Sequence, residues 1–233
     1  MQSDEIEENF SLATVLCDKK IKHLYENQKL KDEDARLVFF RKISQINDMA
    51  KLSYDLYKRY LLTHDWWRER FPNHIISKKN KQNLCKSYDK HIRTSFILEN
   101  FSAFESSIRI IVQSYNSKKY EKLQYSFDKL VNWFMNEMGL SEQYSIIQVF
   151  TNIRNSMHSN GLFNPFDQKD EIIKYQDKEF SFKVGKPIEY GGWTDLFSIT
   201  KIAIIVFERM IENSNIKKIK FVKEPYSDFW LKN

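Results

Sequence analysis

ILENFSAFESSIRIIVQSY, residues 97–115, carries apolar side chains at Ile97, Phe101, Phe104, Ile108, Ile111 and Tyr115, in steps of four, three, four, three and four. That spacing puts one apolar stripe along a helix. It predicts a long amphipathic helix, starting as early as Ser87. The same period extends on both sides. Residues 4–30 repeat it on Ile6, Phe10, Ala13, Cys17 and Leu24. KDED, residues 31–34, supplies a break and a cap, and a second helix is predicted to about Leu62. The segment 63–81 breaks the pattern, and Pro72 disfavours helix before itself. This marks a boundary between an N-terminal helical pair and the rest.

Downstream, one helix is predicted on Leu123, Phe127, Leu130, Phe134 and Met138, ended by Gly139. Ser141 is the expected cap of the next, which carries Ile146, Phe150, Ile153 and Met157 and stops near Asn160-Gly161. The period then changes. EIIKYQDKEFSFKVG, residues 171–185, alternates around a QDK turn and predicts a β-hairpin. A closing helix is expected from about Thr194 to Glu212. The tail has no clear period, and IKFV, residues 219–222, is expected as a short strand. The fold class is therefore mainly all-α: a helical bundle with an added N-terminal helical pair and one small hairpin. A single domain is expected over 1–233, with 1–80 as a helical extension and 214–233 as a tail.

Composition agrees with long helices and few loops, since Gly and Pro number only 5 and 4. Hydrophobic residues at 42% and charged residues at 29% describe a globular chain rather than a disordered one. The net charge of +6 permits nucleic-acid binding without demonstrating it. Cys17 and Cys85 stand far apart with no CxxC pair, so a disulfide framework is not expected and a reducing cytoplasm is. The acidic start MQSDEIEENF does not read as a secretory signal, and no apolar run reaches bilayer length. There is no P-loop, Rossmann fingerprint, GxSxG or HExxH. No cofactor, metal or membrane partner is expected.

One segment speaks of chemistry. FTNIRNSMHSNGLF, residues 150–163, sets Arg154, Asn155 and His158 within five residues. On a helix Arg154 lies about 40° and His158 about 80° from Phe150, on the side away from Ile146, Ile153 and Met157. They form a polar stripe at the edge of the core face, and side chains four apart can reach one ligand group. The pair suits RNA cleavage without a metal. Histidine moves protons near neutral pH, and arginine holds phosphate and offsets developing charge. RNA brings its own 2′-hydroxyl nucleophile. The plainer reading pairs Arg154 with a carboxylate and leaves His158 as a helix-end cation favoured by the dipole.

On IRNSMHSNG, residues 153–161, the sequence resembles the HEPN superfamily, an all-α group of ribonuclease toxins, antiphage proteins and non-catalytic members. The order of helices over about residues 87–213 is similar too. The resemblance implies a HEPN-like bundle and a metal-independent endoribonuclease acting in toxin–antitoxin or antiphage defence. Arg154 would bind the scissile phosphate, His158 would act as acid or base, and Asn155 would position either. It also implies a homodimer joining two such helices, and an antitoxin or other protein partner. The alternative is a non-catalytic HEPN-like module that binds a partner or RNA, with Arg154 and His158 structural. The family's motif places four to six residues between Arg and His; here there are three, which rotates His158 by about 100° relative to the shortest usual form. Glu105 is a candidate supporting residue, with an i,i+4 pair to Arg109 as its plainer role.

Four other stretches carry residue types that could bind a ligand. His64, Asp65 and His74 lack the spacing of a metal site. Lys78, Lys79, Lys81, Lys86, Lys90 and Arg93 suit phosphates or a solvated helix start. Trp66, Trp67 and Phe71 suit base stacking or the packing of the N-terminal helices on the bundle. KKIK, residues 217–220, shares the ambiguity of the lysines.

Overall fold

A computed structural model describes residues 3–71 and 76–225. Its axis is a helix of 38 residues, Lys78–Tyr115, about 57 Å long at 1.5 Å per residue. In chain order the helices are α1 (Ser3–Gln28), α2 (Ala35–Leu56), α3 (His64–Arg70), α4 (Lys78–Tyr115), α5 (Ser117–Leu123), α6 (Phe127–Glu137), α7 (Tyr144–His158), α8 (Trp193–Glu212) and α9 (Ser214–Lys217). Strands β1 (Glu171–Tyr175) and β2 (Lys178–Phe182) form the one small sheet among the described residues. The fold is mainly α-helical with a single hairpin, as the periodicities predict.

The 97–115 stripe does what its spacing requires. Ile97, Phe101, Phe104, Ile108 and Ile111 are all buried. Around them the bundle closes through aromatic contacts. Phe101 meets Phe150 of α7 edge-on at 5.1 Å. Phe39 of α2 stacks on Phe207 of α8 at 3.8 Å. Phe10 of α1 meets Phe197 at 4.7 Å. Truncating rings so placed costs about 3–5 kcal/mol each.

Several boundaries differ from the sequence expectation. α4 begins at Lys78, nine residues before Ser87, because Ser77 caps it by accepting from the Asn80 N–H. The added turns lack an apolar stripe, so periodicity does not reveal them. Segment 63–81 is not a plain break either. Seven residues form α3, held where the Trp67 indole donates to Leu61 O at 2.8 Å. Pro72 and His74 lie outside the described residues. The single helix expected over Leu123–Met138 is two, since Ser126 caps α6 and leaves Leu123 at the end of α5. Ser141 is not a cap. It opens a 3-10 turn, Ser141–Gln143, and its hydroxyl donates to Asn136 Oδ1 at 2.7 Å. Gly139, at φ 69°, ends α6 as expected. It does so in a Schellman turn, with Leu140 N–H on Met135 O at 2.8 Å.

The hairpin pairs Ile173 with Phe180 and Glu171 with Phe182, and its buried side chains cover one side of α7. IKFV forms no strand. The chain after α9 instead docks on the α1–α2 turn, where Ala35 N–H donates to Val222 O at 2.8 Å and Glu224 N–H to Glu33 O at 3.0 Å. A buried ion pair, Asp34–Arg36, anchors that docking. Arg36 Nη2 lies 2.6 Å from Asp34 Oδ2 and Nη1 donates to Ile216 O. Among the described residues no helix is long and apolar enough to cross a membrane.

Candidate functional site

The site sits at the C-terminal end of α7, and its geometry follows from how that helix stops. Asn160 takes a left-handed φ of 58° and Gly161 one of 88°. Gly161 N–H then bonds Ser156 O at 2.7 Å, a Schellman closure that fixes the last turn around His158. The exiting chain is pinned by Phe163 N–H on Lys186 O, Gly185 N–H on Phe163 O and Ile188 N–H on Gly161 O. Asn152 ties the same helix to the hairpin through Glu171 Oε2 at 2.7 Å. On the other flank Met157 packs against Gly191, where an added Cβ would lie 3.2 Å from the Met157 Cε. Gly191 O is held in turn by Arg93 Nη1, at 2.5 Å. Arg93 pairs with Asp89, which also accepts from the Trp193 indole at 3.1 Å. A rigid frame therefore surrounds a short polar edge.

On that edge Arg154 is half-buried, Asn155 and His158 are exposed. The Arg154 guanidinium lies over the ring of Phe101, 5.2 Å from its centroid, and donates one hydrogen bond, to Asn155 Oδ1 at 2.9 Å. Among the described residues no carboxylate pairs with it. A guanidinium has five N–H donors, so most of this one faces outward unused. The His158 side chain makes no hydrogen bond or ion pair with another described residue. Arg154 and His158 stand four apart on one helix, close enough for one phosphate group to meet both. The arrangement can hold an oxyanion on a planar fork beside an imidazole with both nitrogens open.

Glu105 is placed elsewhere. Its Oε1 accepts from Arg109 Nε and Nη2, at 2.9 and 2.6 Å. Arg109 covers Phe127 as Arg154 covers Phe101, and the two rings meet edge-on at 5.7 Å. The plainer i,i+4 role is thus the one occupied. Sequence reasoning missed Phe101 as the platform that aims Arg154. Its place in the core stripe gave no signal of a second role.

Other groups are structural. Trp67 is buried, stacks with Phe71 and donates its indole N–H to Leu61 O, so it packs α3 onto the turn that follows α2. Burial, with the Asp18 and Asp48 charges behind it, pushes the Cys17 thiol up to about 12, which keeps it protonated and unreactive. A small void under α7, lined by Phe104, Ile146, Ile147, Phe150, Ile199, Ala203 and Val206, is wholly apolar. Among the described residues no three His, Cys, Asp or Glu side chains gather as a metal site. No family model, no curated protein and no solved structure matches the chain.

Proposed function

We propose that this chain is a HEPN-like, metal-independent endoribonuclease, with the α7 edge as its catalytic surface and toxin–antitoxin or antiphage defence as its setting. One observation carries the reading: Arg154 keeps an unpaired guanidinium on a fixed aromatic platform, one turn from an unengaged His158. The half-buried Arg93 and Arg109 are each paired with a carboxylate, and Arg154 is not. Arg154 would hold the non-bridging oxygens of the scissile phosphate and offset the charge of the transition state. His158 would take the 2′-hydroxyl proton as that oxygen attacks phosphorus, or give a proton to the departing 5′-oxygen, the other transfer running through water. Asn155, bonded to Arg154, would set the angle of the fork. The products are then a 2′,3′-cyclic phosphate and a 5′-hydroxyl. A two-fold contact between copies, which would be isologous, brings two such edges to one cleft.

The second reading, a non-catalytic module binding RNA or a protein partner, is favoured by the three-residue Arg–His spacing. The exposure of His158 speaks against a structural role for it.

The test is cleavage of single-stranded RNA by the purified chain in EDTA, with end-group analysis by mass spectrometry. The reading expects cyclic phosphate ends and resistance wherever the scissile nucleotide is 2′-deoxy. Cleavage that ignores 2′-deoxy substitution, or no cleavage across varied RNAs, overturns it.

A further inference from the structure

The positive charge of this chain is not spread evenly. Residues 57–93 hold ten Lys or Arg and three Asp or Glu, a net +7 beside +6 for the whole chain. The described residues of this stretch lie together in space. The π-helical turn Tyr57–Leu61, α3 and the first half of α4 are joined by the Tyr57–Tyr88 stack, by Cys85 Sγ on Leu61 O at 3.2 Å and by Lys81 over Trp67.

The faces of α4 divide the work. Phe101 meets Arg154, and Thr94 meets Met157, Oγ1 to Sδ at 3.9 Å. At 100° per residue these two share nearly one azimuth. Followed toward the N-terminus, the same face presents Lys90, Ser87, Lys86, Asn83 and Lys79, all within about 70° of that direction. All five are exposed. Tyr88, Cys85 and Lys81 lie on the opposite side, under the π-turn and α3. Asp89 and Arg93 lie on a third, bonded to Trp193 and Gly191. Neither acidic residue of α4 between Lys78 and Phe101, Asp89 or Glu99, falls on the lysine face. So the face that seats α7 is apolar where α7 covers it and basic beyond His158, from about 6 Å to about 22 Å further along the axis.

We infer that the Lys79–Lys86–Lys90 face of α4 is a docking track for single-stranded RNA, in line with Arg154 and His158. The inference takes its ligand from the ribonuclease reading, and its surface from the charge distribution and helix phase. A linear polyanion matches a narrow basic line that runs on from an open arginine. Single strands bind such grooves over about 4–16 nucleotides. A membrane surface would call for apolar side chains among the lysines to supply a second anchoring signal; the exposed Leu84 stands about 90° from the centre of this face, outside the lysine arc.

The test is fluorescence anisotropy of a labelled single-stranded 12-mer RNA with the full chain, all proteins carrying His158→Ala to block cleavage. One protein adds Lys79→Gln, Lys86→Gln and Lys90→Gln. A control adds Lys118→Gln, Lys122→Gln and Lys218→Gln, exposed lysines elsewhere. The track variant is expected to bind about tenfold or more weakly at low salt, with the slope of log K on log salt reduced by about 2, as three lost phosphate contacts require. The control is expected within about threefold of its parent. Equal loss in both triples, or none in the track triple, overturns the docking. So does loss of sedimentation on phosphatidylserine–phosphatidylcholine vesicles while RNA binding stays intact, which assigns the face to lipid. Cleavage by the chain with His158 intact, on the same RNA, separates the two ideas. Binding through the track without cleavage keeps the docking and removes the ribonuclease reading. Cleavage unaffected by the track triple does the reverse.

Discussion

Two arginines in this protein live in opposite circumstances. Arg36 is 1% exposed, and its fork is met by the carboxylate of Asp34, itself 0% exposed, with a backbone carbonyl behind it. Arg154 is half-buried on an aromatic face, with a single neutral acceptor. The first has its charge neutralised and fixes a turn, so its loss should unfold. The second has no carboxylate partner among the described residues, and on the proposed reading its charge meets a phosphate, so its loss should disarm. The two differ in one respect: the buried charge is neutralised within the chain and the half-buried one, among the described residues, is not.

The comparison can be broken by stability measurements. Arg36→Ala leaves Asp34 buried and alone, which costs about 3–5 kcal/mol; a fall in Tm on the order of 10 °C by calorimetry is expected. A shift of a degree or two would remove the buried pair as an anchor of the C-terminal segment. Cys17 tests burial at the same α1–α2 hairpin. Its folded pKa of about 12 lies above the ordinary thiol value of 9.0. A raised pKa means the unfolded chain ionises first, so its contribution is intact below pH 9 and is lost as pH rises from 9 toward 12. Urea titrations should show that alkaline fall, and Cys17→Ser, which removes one ionising thiol, should make it shallower, with the raised Tyr57 and Tyr144 hydroxyls sustaining the rest. At pH 8 iodoacetamide should label Cys85 well ahead of Cys17.

Arg154→Ala removes one cation–π contact and a neutral hydrogen bond, so stability should drop by under about 1 kcal/mol. RNA cleavage should be abolished all the same. Glu105→Gln sharpens the contrast further. It loosens the i,i+4 pair with Arg109, a few tenths of a kcal/mol, and should leave cleavage within about twofold.

Where a residue had one job, the sequence was legible. The 97–115 stripe, the Gly139 stop and the alternation of the hairpin all reported burial by period, and each stands where expected. The first turns of α4 and the seven residues of α3 were hidden because neither carries a stripe long enough to show a period. The break at Ser126 was hidden because the apolar spacing runs across it. The tail looked shapeless for another reason. Val222 and Glu224 are fixed by backbone bonds and by Lys42, 180 residues and more away in the chain, and no local pattern encodes that. At the site, the helix edge carrying Arg154, Asn155 and His158 could be read directly. Phe101 as the platform could not, because a core ring and a cation–π platform are the same residue type at the same spacing.

The central claim is that Arg154 and His158 serve chemistry and not the fold. The measurement closest to it is RNA cleavage in EDTA by the wild type, Arg154→Ala and His158→Ala, each also followed by thermal melting and by light scattering for its oligomeric state. Cleavage by the wild type alone, with all three melting within about 3 °C of one another and sharing one assembly, is the predicted result. An inert wild type, equal cleavage by all three, or variants that lose activity only because they lose the fold, would contradict it.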